Sequence, residues 1–95
     1  GPGLPDPRQW PRVNPPAATR LTAVRTAVRA LADEHGLPQE NLLQPAAQRA
    51  LAWSVTGYGA DEVREILRRA GARPWQVDLV TPPVLDALHE TVRQD

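Results

Sequence analysis

Residues 17–43 read AATRLTAVRTAVRALADEHGLPQENLL, and this stretch decides the fold. Within it Leu21, Val24, Val28 and Leu31 are spaced three, four and three apart, which sets them on one stripe of a 3.6-residue helix. Ala17 continues the stripe one turn earlier. Pro15 and Pro16 suit a helix start, where a missing N–H removes no bond, and Gly36 suits the left-handed residue that closes a helix. The spacing predicts a helix from about Pro16 to His35, roughly 20 residues and about 30 Å long, the span of a small domain. Other elements must lie against it. Gly36-Leu37-Pro38 then breaks the chain, and Gln39 to Leu42 has room for one further turn.

A chain of 95 residues makes one domain with a modest core, since a chain this short buries only about 60 to 65% of its extended surface. With no Cys and only His35 and His89, neither a disulfide framework nor a metal site is expected. No apolar run is long enough for a membrane span and no signal peptide is visible, so a cytoplasmic protein without membrane contact is expected. The chain contains no Met and begins Gly1-Pro2, the remnant a common tag-removing protease leaves. It reads as a piece of a longer protein, with residues 1–15 a tag scar and Pro-rich linker and residues 16–95 a helical domain.

Eleven Arg balance eleven acidic residues, which argues against the strongly basic footprint of non-specific nucleic-acid binding. The charges nevertheless alternate in blocks. Residues 1–32 carry five Arg against Asp6, and residues 33–62 carry Arg49 against five acids. Residues 63–75 hold Arg64, Arg68, Arg69 and Arg73 against Glu65, and the tail is acidic again. A basic face forms if the first and third blocks meet. The plainer reading is a set of solvated helix faces with i,i+4 pairs, such as Glu65 with Arg69.

Along the rest of the chain, the four Pro of residues 1–14 predict an extended tether, with Trp10 docking back on its own domain. Pro45 begins a helix to about Ser54, with Leu43, Ala46, Ala50 and Trp53 expected on its inner face and Trp53 read as packing. Gly57-Tyr58-Gly59 is a flexible loop that should expose the Tyr. Asp61 opens a helix whose stripe is Val63, Ile66, Leu67 and Ala70, with acids at its start and Arg68 and Arg69 at its end, as the helix dipole favours. Gly71 ends it. Pro74 starts a short helix to about Val80, and Thr81-Pro82-Pro83 caps and starts a last one with Val84, Leu85, Leu88 and Val92 inward. No segment keeps a period of two, so the fold class is all-α, a small bundle of about five helices.

Searches for catalytic chemistry come back empty. There is no phosphate loop, the single Ser (Ser54) has no His near it in sequence, and Asp33, Glu34 and His35 point in three directions from one helix. No catalytic residue, metal ligand or cofactor is expected in this chain, which is read as no enzyme itself.

The run RLTAVRTAVRALADEHGLPQENLLQP (Arg20 to Pro45), followed by a helix, a loop and more helix, resembles the HRDC domain, named for helicase and RNase D C-terminal. Leu21, Val24, Arg25, Gly36, Pro38, Leu42 and Leu43 carry the likeness. The segment Gly71-Ala72-Arg73-Pro74-Trp75-Gln76-Val77, with Trp10-Pro11-Arg12, looks like the C-terminal part of ribonuclease D from high-GC bacteria. Where the family commonly has a Lys in that later glycine segment, this chain has Arg73-Pro74-Trp75. The resemblance implies an accessory helical module beside a 3′-to-5′ exoribonuclease domain, or beside a RecQ-type helicase. It implies RNA, such as a tRNA precursor, or single-stranded DNA as ligand, with the parent's catalytic domain as the other partner. A monomer is expected.

In physical terms such binding needs Arg guanidinium groups on phosphates and an aromatic ring against an unpaired base. Arg64 and Arg68 are one turn apart, outside the apolar stripe, with Arg69, Arg73 and Trp75 following. Arg25 and Arg29, also one turn apart, supply the other side. These seven residues are the candidate nucleic-acid face, with Trp75 alternatively a core residue. The competing function is a docking module without nucleic-acid contact.

Overall fold

The apolar stripe becomes a helix of 21 residues, Pro15–His35, around which the rest of a computed structural model describing residues 3–93 is packed. In chain order a 3-10 turn (Pro7–Gln9) leads to α1 (Trp10–Val13), α2 (Pro15–His35), α3 (Gln39–Leu42), α4 (Pro45–Ser54), α5 (Ala60–Arg69) and α6 (Pro74–Arg93), with no strand among the described residues. Both ends of α2 close as their residues dictate. Asn14 accepts a hydrogen bond from the Ala17 N–H at 3.2 Å, while Gly36, at φ 65°, lets Leu37 donate to the Ala32 carbonyl at 3.0 Å.

The stripe residues Val24, Val28 and Leu31 form the main core with Leu42, Leu43, Leu51, Val63, Leu67, Val80, Val84 and Leu88. Helices α4 and α6 flank α2, and α5 bridges α4 to α6. A second cluster gathers Trp10, Ala17, Leu21 and Ala52 at the other end of α2, with Trp53 packed on it. Each large core side chain contributes about 2–5 kcal/mol by the cost of truncation to Ala.

Several expectations are corrected here. Residues 7–13 are helical rather than extended, whereas Trp10 docks on its own domain as expected and is completely buried. Its indole Nε1 donates to the Pro5 carbonyl at 2.9 Å and its ring lies 4.9 Å from that of Trp53, so the N-terminal segment closes the second core cluster instead of acting only as a tether. Gly1 and Pro2, read as a tag scar, lie outside the described residues. On α4 the inner face is one position on from the expected one: Ala47, Gln48, Leu51 and Ala52 are buried, while Ala46 is exposed and Ala50 and Trp53 are half-buried.

A further correction is at Pro82-Pro83, where α6 continues through the expected break. The two prolines withdraw the donors that would serve the carbonyls of Asp78 and Leu79. Asp78 is exposed and Leu79 half-buried. Just before the prolines, the buried Thr81 Oγ1 donates to the Val77 carbonyl at 2.6 Å. Val92, near the end of α6, is 57% exposed rather than inward.

Side chains also secure the connections. Arg20 Nε donates to the Ala52 carbonyl at 2.7 Å, satisfying one of the acceptors left open in the last turn of α4. Glu62 takes hydrogen bonds from Thr56 (N–H at 2.9 Å, hydroxyl at 2.8 Å) and from the Gly57 N–H at 2.8 Å, tying down the α4–α5 loop. Burial alone would push the Glu62 carboxyl up, but these bonds outweigh it and hold it below the ordinary glutamate range. The loop thereby fixes Tyr58 at φ 54°, half-buried against the main core, its carbonyl 2.9 Å from His89 Nε2. Tyr58 is therefore not the exposed ring its glycine neighbours suggested.

Candidate nucleic-acid interface

Because Val24, Val28 and Leu31 turn α2's apolar stripe inward, Arg25 and Arg29 face solvent from the next line of positions. They line a cleft of about 500 Å³ whose other wall is the α3–α4 connection, including Gln39, Glu40 and Gln44. A second cleft of about 600 Å³ lies on the other side of the same connection, where Glu40, Asn41 and Gln44 meet Arg73 and Trp75 from the start of α6. The two clefts share Glu40 and Gln44. One connector thus has two arginines on one side and an arginine with an indole on the other.

The short helix α3 owes its position to two glutamines. Gln76 Nε2 donates to the Asn41 carbonyl at 3.0 Å, and its Oε1 accepts from the Arg73 N–H at 2.7 Å. That second bond is the return half of a capping box, with Pro74 at the first helical position and Gln76 at the third. On the other side Gln48, buried, donates through Nε2 to the Leu43 carbonyl at 2.9 Å. Both ends of the connector are therefore fixed to longer helices. Trp75 is left 49% exposed, which excludes the core alternative for its side chain.

The α5 arginines have a different setting. Arg64 Nη1 is 3.6 Å from Asp61, and Arg68 and Arg69 both reach Glu65, at 3.0 and 3.9 Å. Each is exposed or half-buried, so these pairs add little stability, but each guanidinium already has a carboxylate neighbour. Arg25, Arg29 and Arg73 have no ion pair among the described residues. Of the seven residues expected on one face, four (Arg25, Arg29, Arg73 and Trp75) line the paired clefts.

Glu40, Asn41, Gln44 and Gln76 also line this surface, and sequence reasoning passed them over. The pattern Arg73-Pro74-Trp75-Gln76 does carry the capping signal that would have located Gln76. The contact of α3 with the start of α6 has no local signal, because the residues it joins are 35 apart in sequence. The arrangement offers cations, one stacking surface and several amide groups, with no nucleophile and base in contact. No group of three or more potential metal ligands occurs among the described residues, nor is any helix long and apolar enough to cross a membrane.

No curated protein and no solved structure matches the chain. A family model does, over residues 3–88, a span that takes in the Trp10 segment as well as the clefts around α3. On that match the chain belongs to the 3′ to 5′ exonuclease C-terminal domain family.

Proposed function

We propose that this domain is the HRDC-like accessory module of a ribonuclease D-like 3′-to-5′ exoribonuclease and holds structured RNA, such as a tRNA precursor, for trimming. It acts as a monomer in the cytoplasm, with no catalytic residue, metal or cofactor of its own, and single-stranded DNA is a second ligand. The observation that carries this reading is the exposed Trp75 beside Arg73, joined across Glu40 and Gln44 to Arg25 and Arg29, in a chain of zero net charge. Unpaired guanidiniums and an indole suit phosphates and an unstacked base. Arg64, Arg68 and Arg69 add a weaker, outlying contribution, because each must share its charge with a neighbouring acid.

A second reading, docking on the parent's catalytic domain, draws on a shallow groove of about 520 Å³ between α2 and α6, lined largely by Ala and Thr. The two readings separate by mutation. Fluorescence anisotropy of labelled tRNA and single-stranded RNA should show micromolar or weaker binding, and joint replacement of Arg25, Arg29 and Arg73 by Ala should lower the affinity at least tenfold. The slope of log affinity on log salt should fall by about two, at roughly 0.7 for each phosphate contact to a single strand. Unchanged affinity in the triple variant overturns the assignment of the face. Absence of binding by the unmodified domain at low salt overturns the RNA reading in favour of docking.

A further inference from the structure

Glu40 stands where the two clefts meet and is the only carboxylate among the residues lining either. It is exposed, and it has no ion-pair partner among the described residues. A carboxylate there opposes phosphate binding, so a strand crossing the connector must keep its phosphates toward the arginines on either side. What faces Glu40 is then a base edge. An ionised carboxylate only accepts hydrogen bonds, and of the four bases guanine alone presents two adjacent N–H donors, N1–H and the N2 amino group, on its Watson–Crick edge. Cytosine and adenine each offer one amino group. Uracil offers a single N–H between two carbonyl oxygens, which a carboxylate repels.

We propose that the α3 connector reads one unpaired base and prefers guanine to uracil, Glu40 accepting from the guanine N1–H and N2–H while an adjacent base stacks on Trp75. This inference rests on the nucleic-acid reading above and adds a base preference to it. Two features prepare the site. The Gln76 to Asn41 hydrogen bond, at 3.0 Å, holds the backbone immediately after Glu40, so the carboxylate starts from a fixed point. Trp75 and Glu40 line the same open cleft, so one strand passing through it can meet both side chains. A duplex satisfies neither contact, because its Watson–Crick edges are occupied and its bases are stacked on each other.

The test uses four hexaribonucleotides, all-uracil and three with a single G, A or C at the third position, titrated by anisotropy against the domain and its Glu40→Gln and Trp75→Ala variants. The G-containing strand should bind at least about fivefold tighter than all-uracil, the low end of what a bidentate contact to a base edge supplies, with A and C between. Glu40→Gln should act in two opposite ways. It should tighten all-uracil binding, because a negative charge leaves the phosphate path, and bring the G-to-U ratio close to one. Trp75→Ala should weaken all four strands alike. Equal binding of the four strands by the unmodified domain, or a G-to-U ratio that survives Glu40→Gln, overturns the base-reading role while leaving nucleic-acid binding intact. Failure to bind any strand overturns both.

Discussion

Replacing Trp10 by Ala tests whether the N-terminal segment is structural. The indole is completely buried, its Nε1 donates to the Pro5 carbonyl at 2.9 Å, and its ring packs 4.9 Å from Trp53. Truncation of a buried aromatic typically costs about 3–5 kcal/mol. Within that figure the hydrogen bond accounts for about 1 kcal/mol and the ring pair for about 0.5–1.5 kcal/mol. A small domain has about 5–15 kcal/mol in total, so the variant should lose a large share of its stability, with Tm lowered by roughly 12–40 °C. Trp10→Phe keeps most of the apolar body and loses the donor, and should cost about 1–2 kcal/mol. Urea melts followed by far-UV circular dichroism give both values without relying on the tryptophan signal being changed. A Trp10→Ala domain within about 1 kcal/mol of the original would show that the segment adds little to the fold and acts as a tether.

Two other perturbations probe the connections. Gly36→Ala places a side chain at φ 65° with open space around it. The loss should therefore be about 1–2 kcal/mol of backbone strain, read by chemical denaturation, and no change of fold. Glu62 is held below its ordinary value of 4.5 by the loop hydrogen bonds, so its stabilisation is present above that pH and is lost as pH falls through the lower folded value. Glu62→Gln should flatten the acid limb of a stability-against-pH curve in that window, and an unchanged limb would remove Glu62 as its source.

Most of the helical frame was legible because it rests on local rules. The stripe of α2, the Gly36 and Gly71 closures and the proline starts at Pro15, Pro45 and Pro74 each depend on residues within a few positions of one another. The errors fall where two local signals compete or where contact is distant. PAAQRALAWS has apolar residues on several sides, and the structure buries Ala47, Leu51 and Ala52 while leaving Trp53 half-buried on the second cluster. Pro82-Pro83 looks like a break, yet the helix continues through it with the buried Thr81 hydroxyl bonded to the Val77 carbonyl just before the prolines. Of the candidate site, the residue types were legible but not their grouping. Arg73 and Trp75 meet Arg25 and Arg29 only through α3, whereas the α5 arginines turn to acids on their own helix.

The three tryptophans differ enough to report the interface directly: Trp10 is buried, Trp53 is half-buried in the second cluster, and Trp75 is 49% exposed beside Arg73. Their three indole N–H signals in a nitrogen–proton correlation spectrum should respond differently to a titration with single-stranded RNA. The Trp75 signal should move, together with the side-chain amides of Gln44 and Gln76, while the Trp10 and Trp53 signals stay in place. An RNA titration that shifts α5 or the second cluster and leaves Trp75 unmoved would place the RNA on another face.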